Sequence, residues 1–199
     1  MSKIFKRKKL FGLVCVLILV PLIIAGCNNN DANNDDVADE EAEVAQESLL
    51  TDDLTYTNLY SSDIGLDIYW EFNEDEDALH MMLESPGSGW LSVGFDATTR
   101  MNEAKIIIAG FDGDDNFQLE EHIGTSPTSH EQIDEIYITE STGEREEDSS
   151  IAEFIIPLDG DSRYAIEPGE TYEVIVAFHS DDDSFMQRHT QRASVEIDF

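Results

Sequence analysis

Cysteine, cationic side chains and helical periodicity are what this 199-residue chain has least of. It holds two cysteines, Cys15 and Cys27, inside and at the end of one N-terminal apolar segment. The rest of the chain has no thiol, which excludes a disulfide framework, a thiolate-held zinc and an iron–sulfur cluster. A fold without cross-links must be held by its core, and the roughly 145 residues from Leu54 onward suffice for one. Lysine and arginine number 11 against 44 aspartates and glutamates, a formal net charge of −33. Lys3, Lys6, Arg7, Lys8 and Lys9 precede the apolar segment and every carboxylate follows it, so Arg100, Lys105, Arg145, Arg163, Arg188 and Arg192 alone balance the remainder. Such a surface repels nucleic acid and anionic lipid headgroups, so nucleic acid is excluded as a partner. The acid is spread over the whole domain rather than clustered, which reads as the salt-adapted surface of a halophile or alkaliphile. Self-repulsion at low ionic strength then makes the fold salt-dependent.

The N-terminus is a targeting segment rather than part of the fold. A cationic stretch leads into an apolar run from Leu10 to Ala25, the layout of a signal peptide. The run ends in Ile24-Ala25-Gly26-Cys27, which resembles the lipobox of bacterial lipoproteins. That resemblance implies cleavage after residue 26, lipid on Cys27, and a place in the cell envelope on the extracytoplasmic face of a membrane. Two or more acyl chains give stable anchoring where one does not. Residues 27–53 are rich in Asn, Asp, Glu and Ala and almost free of large apolar residues before Leu49-Leu50, so they read as a disordered acidic tether. Residues 54–199 are the folded domain.

No segment of that domain sustains a helical period. It reads as short β-rich runs: Leu54–Leu59, Leu66–Phe72, Ala78–Glu84, Trp90–Phe95, Lys105–Phe111, Phe117–His122, Glu135–Glu140, Ile151–Pro157, Tyr172–His179 and Ala193–Asp198. Leu66, Ile68 and Trp70 share one face of a strand, as do Val174, Val176 and Phe178. The breaks carry Pro-Gly-Ser-Gly, Asp-Gly-Asp-Asp-Asn, Asp-Gly-Asp and Pro-Gly-Glu, all turn formers. About ten short strands without helices predict an all-β, immunoglobulin-like antiparallel β-sandwich, with a barrel as second choice.

Gly89-Trp90, Val93-Gly94-Phe95, Met101 and Ile106-Ile107-Ile108 resemble the DOMON domain family. That family includes the cytochrome domain of cellobiose dehydrogenase and the N-terminal domain of dopamine β-monooxygenase. Tyr69-Trp70-Glu71-Phe72 with Leu79 to Leu83, Phe154 to Leu158, and Val176 to His179 followed by His189 extend the likeness over most of residues 54–199. The chain departs from the pattern at Ala104-Lys105 and in lacking glycines around His189. In haem-binding members, the loop Met and a His near the domain's end are the axial ligands. The resemblance therefore implies haem b held by Met101 and His189, with Met186 and His179 as substitutes in another register of the tail. Trp90, Phe95, Phe178 and Phe185 are candidate walls for the macrocycle, and Arg188 or Arg192 for a propionate. The function implied is single-electron transfer with a redox partner protein, as a carrier rather than an enzyme. The alternative is a haem-free module that binds carbohydrate or another surface ligand through aromatics such as Tyr56, Tyr60 or Tyr137.

Asp112-Gly113-Asp114-Asp115-Asn116 and Asp181-Asp182-Asp183 offer hard oxygen ligands suited to calcium but lack the full spaced pattern of a calcium loop. His80 reads as a solvent-face or edge residue, and His122 and His130 as surface. Nucleophile motifs, phosphate-binding glycine loops and catalytic carboxylate pairs in recognisable context are absent.

Overall fold

The computed structural model describes residues 45–75, 77–160 and 162–199. The leader, Cys27 and most of the expected tether lie outside the described residues. Thirteen strands and no helix occur among those described: β1 (Gln46–Glu47), β2 (Thr55–Tyr56), β3 (Asn58–Ser61), β4 (Asp67–Asn73), β5 (Ala78–Ser85), β6 (Leu91–Phe95), β7 (Lys105–Phe111), β8 (Phe117–Ser126), β9 (Ser129–Gln132), β10 (Ser141–Arg145), β11 (Ser150–Pro157), β12 (Thr171–Phe178) and β13 (Gln191–Asp198). They make an antiparallel β-sandwich. One sheet has the order β10-β11-β5-β4-β3 and the other β13-β12-β6-β7-β8-β9, while β1 and β2 pair separately.

Alternation along the strands builds the core. Ile68 and Trp70 of β4, Met81 and Leu83 of β5, and Phe154 and Ile156 of β11 point inward from the first sheet. They meet Val93 and Phe95 of β6, Ile107 of β7, and Val174, Val176 and Phe178 of β12. Trp70, Phe95 and Tyr172 all pack rings against the C-terminal Phe199.

Three strands, β1, β9 and β10, lie outside the expected runs, β8 continues past His122 to Ser126, and one expected run forms no strand. Residues 135–140, expected as a strand, are extended but have no ladder. The Tyr137 and Ile138 amides donate to the buried Glu121 carboxylate instead, at 2.6 and 3.0 Å, and only Thr139 and Glu140 bond β11, through Ile155. Residues 46–53 were expected in the tether, yet they are folded onto the domain. Glu153 of β11 is fully buried, and its carboxylate accepts bonds from Ser48 Oγ at 2.5 Å, Leu50 N at 3.1 Å, Tyr56 Oη at 2.8 Å and Leu49 N. Leu49 and Leu54 then pack on Tyr56, Tyr69 and Met82, a small core on the outer face of the five-stranded sheet.

Candidate functional site

The outer face of the six-stranded sheet is apolar where a solvent face would be polar. Ile106 and Ile108 of β7 are buried there with Trp90 and Ala104, and Met101, Ile175, Ala177 and Phe185 pack against them. Over this face lies a cavity of about 870 Å³, within the size range of small-molecule and cofactor sites. Its floor is formed by Ser92 and Gly94 of β6, Ile106 and Ile108 of β7, and Ile175 and Ala177 of β12. Small residues keep that floor low: a Cβ on Gly94 would come within 2.8 Å of the Ile175 side chain.

Three segments wall the cavity. The first is the β6–β7 loop, with Arg100 and Met101; the second is the β8–β9 hairpin, with Pro127, Thr128 and His130. The third is the approach to β13, with Met186, Arg188, His189 and Arg192. Met101 and His189, far apart in sequence, thus share one cavity, and Trp90 and Arg188 line it with them. Burial, then the neighbouring Arg192 and Arg188, hold His189 below its ordinary range. The imidazole is neutral at neutral pH, which is the form that ligates metals.

The other placements differ. Phe95 and Phe178 do not wall the cavity, because strand alternation turns both into the inter-sheet core with Val93 and Val176. Phe185 packs on the outer-face cluster and borders an adjoining cavity of about 550 Å³. Of the substitute ligands, Met186 lies on the cavity lining and is 79% exposed. His179 is committed elsewhere: its Nδ1 accepts the Asp182 amide at 2.9 Å and caps the following loop.

His80, expected at a solvent face, is buried. His122 and His130, expected at the surface, form a hydrogen-bonded pair. Their Nδ1 atoms lie 2.9 Å apart, and His122 Nε2 is 2.9 Å from Glu120 Oε2. His122 is buried and His130 reaches the cavity; burial and His122 push His130 down. Tyr56 is not an exposed aromatic but fully buried, and Tyr60 and Tyr137 are half-buried. The Asp112 carboxylate turns inward, accepting the Asp114 and Asn116 amides at 2.9 Å. Among the described residues no three His, Cys, Asp or Glu side chains are grouped to hold a metal ion.

The loop carrying Met101 is held under strain. Asp96, Arg100 and Glu103 adopt φ of 58°, 57° and 64°, a region that costs non-glycine residues about 1–3 kcal/mol each. Asp96 at one end of the loop pairs with Lys105 at the other, at 2.5 Å. The cations divide sharply. Lys105 pairs with Asp96, Arg145 pairs with Asp115 and Asp183, and Arg163 bonds the His122 carbonyl and lies over the Tyr137 and Tyr164 rings. Arg100, Arg188 and Arg192 have no ion pair among the described residues, and all three line the cavity.

A β-sandwich with a cavity on the outside of one sheet is the class these features define. The chain belongs to the DOMON domain family, which it matches over residues 62–179; His189 lies beyond that span. Two solved structures share the fold. The cytochrome b domain of pyranose dehydrogenase from Coprinopsis cinerea superposes with a TM-score of 0.58 at 13% identity, over 79% of this chain and 88% of that one. The cytochrome domain of Myriococcum thermophilum cellobiose dehydrogenase gives 0.57 at 14% identity, over 79% and 89%. No curated protein matches the sequence.

The residues present fit a haem. The floor is largely apolar, a thioether and a neutral imidazole stand on the same lining, and three arginines without an ion pair among the described residues line it too.

Proposed function

We propose that this chain binds one haem b in the cavity on the six-stranded sheet, where Met101 and His189 would hold the iron, and passes single electrons. The observation that carries the reading is that Met101 and His189 line one cavity over a largely apolar floor. The likeness to two cytochrome domains supports it. Haem would supply a one-electron ferric–ferrous couple, and a Met–His ligand pair favours electron transfer over oxygen chemistry. The protein's part is to hold and tune. Ile106, Ile108, Ile175 and Trp90 would exclude water, and Arg188 and Arg192 would meet the negative charge of the propionates. The chain is then a carrier for a redox partner rather than an enzyme. Its leader and Cys27 support export and lipid anchoring on the extracytoplasmic side of a membrane.

The test is an absorption spectrum of the full chain, in detergent and high salt, titrated with haem and then reduced. Saturation at one haem per chain, with sharp α and β bands on reduction, is expected. Met101→Ala and His189→Ala should each convert the iron to a five-coordinate or high-spin form. Free-haem-like absorption by folded protein would refute the reading and leave a haem-free binding module.

A further inference from the structure

β6 and β7 pair to their ends, Phe95 opposite Lys105. The loop between them must therefore fold back over the sheet to bring Met101 above the cavity floor. It does so by landing on β8, one strand further on, at Gly124. The Glu103 amide donates to the Gly124 carbonyl at 2.9 Å, and the Gly124 amide donates to the Ala104 carbonyl at 2.8 Å. Between those two bonds the Met101 carbonyl occupies the space where a side chain on Gly124 would stand. A Cβ there would overlap the Met101 carbonyl oxygen and lie 2.7 Å from its carbon and 3.2 Å from the Ala104 nitrogen. All three are backbone atoms, so no change of rotamer relieves the clash. Gly124 does not have a positive φ, so the demand for glycine comes from space rather than backbone conformation.

We propose that Gly124 is the positioning residue for the Met101 thioether: β8 must be bare at this point for the loop to seat. The inference rests on Met101 as a ligand, but its first test needs no haem. With methionine labelled by ¹³C at the methyl, Met81 and Met82 are fully buried elsewhere and report on the fold, while Met101 reports on the loop. In haem-free protein, Gly124→Ala should shift the Met101 methyl resonance and leave those of Met81 and Met82 in place. Gly113→Ala, where an added Cβ meets nothing within 4 Å, should shift none of them. With haem added, Gly124→Ala should lose the thioether-ligated spectrum and weaken haem binding about 10- to 100-fold, the usual effect of disturbing a residue that orients a ligand. An unmoved Met101 methyl would overturn the proposal. So would Met81 and Met82 shifting together with Met101, which would make Gly124 a general folding requirement. Should the wild-type chain take up no haem while the methyl result holds, the ligand assignment falls and the positioning role stands.

Discussion

Replacing Glu153 by Gln should loosen residues 46–56 from the sandwich without unfolding it. The carboxylate is buried, and its oxygens divide their work. Oε1 accepts the Ser48 and Tyr56 hydroxyls, and Oε2 accepts the Leu49 and Leu50 amides. A glutamine has one acceptor and one donor end. The Tyr56 hydroxyl can turn to accept, whereas Ser48 Oγ already accepts the Leu50 and Thr51 amides and the Leu49 and Leu50 amides only donate, so the amide oxygen must face Leu49 and Leu50. Those bonds survive in neutral form. A hydrogen bond to a charged group contributes about 1.5–3 kcal/mol and a neutral one about 0.5–1.5, so two weakened bonds cost about 2 kcal/mol. Glu153→Ala leaves all four donors without this acceptor and should cost about 3–5 kcal/mol, the range for breaking a buried charged network. Urea midpoints give the stabilities, and amide exchange at Leu49 and Leu50 reports the local effect. If Glu153→Gln matches wild type within about 0.5 kcal/mol, with both amides still protected, then this carboxylate does not fasten the segment.

Three further outcomes follow from the charge distribution. Glu84 lies opposite Asp67 across β4 and β5; burial, then Asp67 and Glu146, raise its carboxyl above the usual range. The folded state therefore holds that proton more tightly, and stability falls as pH rises through the window just above the ordinary carboxylate value. Glu84→Gln should raise stability at pH 7 by about 0.2–1 kcal/mol and leave it little changed at pH 4, as read by thermal melts; a lower melting temperature at pH 7 would contradict this. His130 has the opposite sign: depressed by burial and by His122, it contributes stability above pH 6.5 that is lost as pH falls. His130→Gln should flatten that slope in melts between pH 5 and 8, and an unchanged slope would refute the assignment. Arg188→Gln and Arg192→Gln break no ion pair among the described residues, so apoprotein stability should hold within about 0.5 kcal/mol. Each should weaken haem binding about tenfold or more, the equivalent of one charge-assisted hydrogen bond; unchanged affinity would remove the arginines from the site.

Most of the sandwich is legible in the sequence because burial on one face imposes period two. Val174, Val176 and Phe178 alternate as read, and all three are buried. Period two describes only one face of each strand. In Ile106-Ile107-Ile108-Ala109 and in Val174 to Phe178 the intervening residues are apolar too, the mark of a strand covered on both sides. That signal places Ile106, Ile108 and Ile175 beneath the cavity and sends Phe95 and Phe178 inward. Met101, His189, Trp90 and Arg188, named from the sequence, line the cavity. Arg100, His130 and Gly124 could not be placed from the sequence, since a loop and a hairpin bring them in and only the strand pairing shows where those land. Tyr56 carries no mark of burial beyond its neighbours, because its partner Glu153 is remote in sequence.

A β-sandwich without disulfides still has to fasten segments that sheet pairing does not reach, and here buried carboxylates do it twice. Glu153 takes the Leu49 and Leu50 amides and the Tyr56 hydroxyl. Glu121 takes the Tyr137 and Ile138 amides and the Tyr164 hydroxyl at 2.7 Å. Each clip joins two consecutive backbone amides and a buried tyrosine to a carboxylate on a strand, and burial, then the carboxylate, pushes each tyrosine's ionisation upward. Burying an anion is costly unless such donors surround it, so the sites need a full donor set, which the amides of an irregular segment supply. The two clips sit on different sheets. Glu153 secures the N-terminal segment over the outer face of the five-stranded sheet, leaving the outer face of the six-stranded sheet open for the cavity. Strand β8 carries both sides of that arrangement: Glu121 faces inward to hold residues 137–138, and its neighbours Glu120 and His122 face outward toward His130. The same strand therefore ties the stability of the core to the wall of the site.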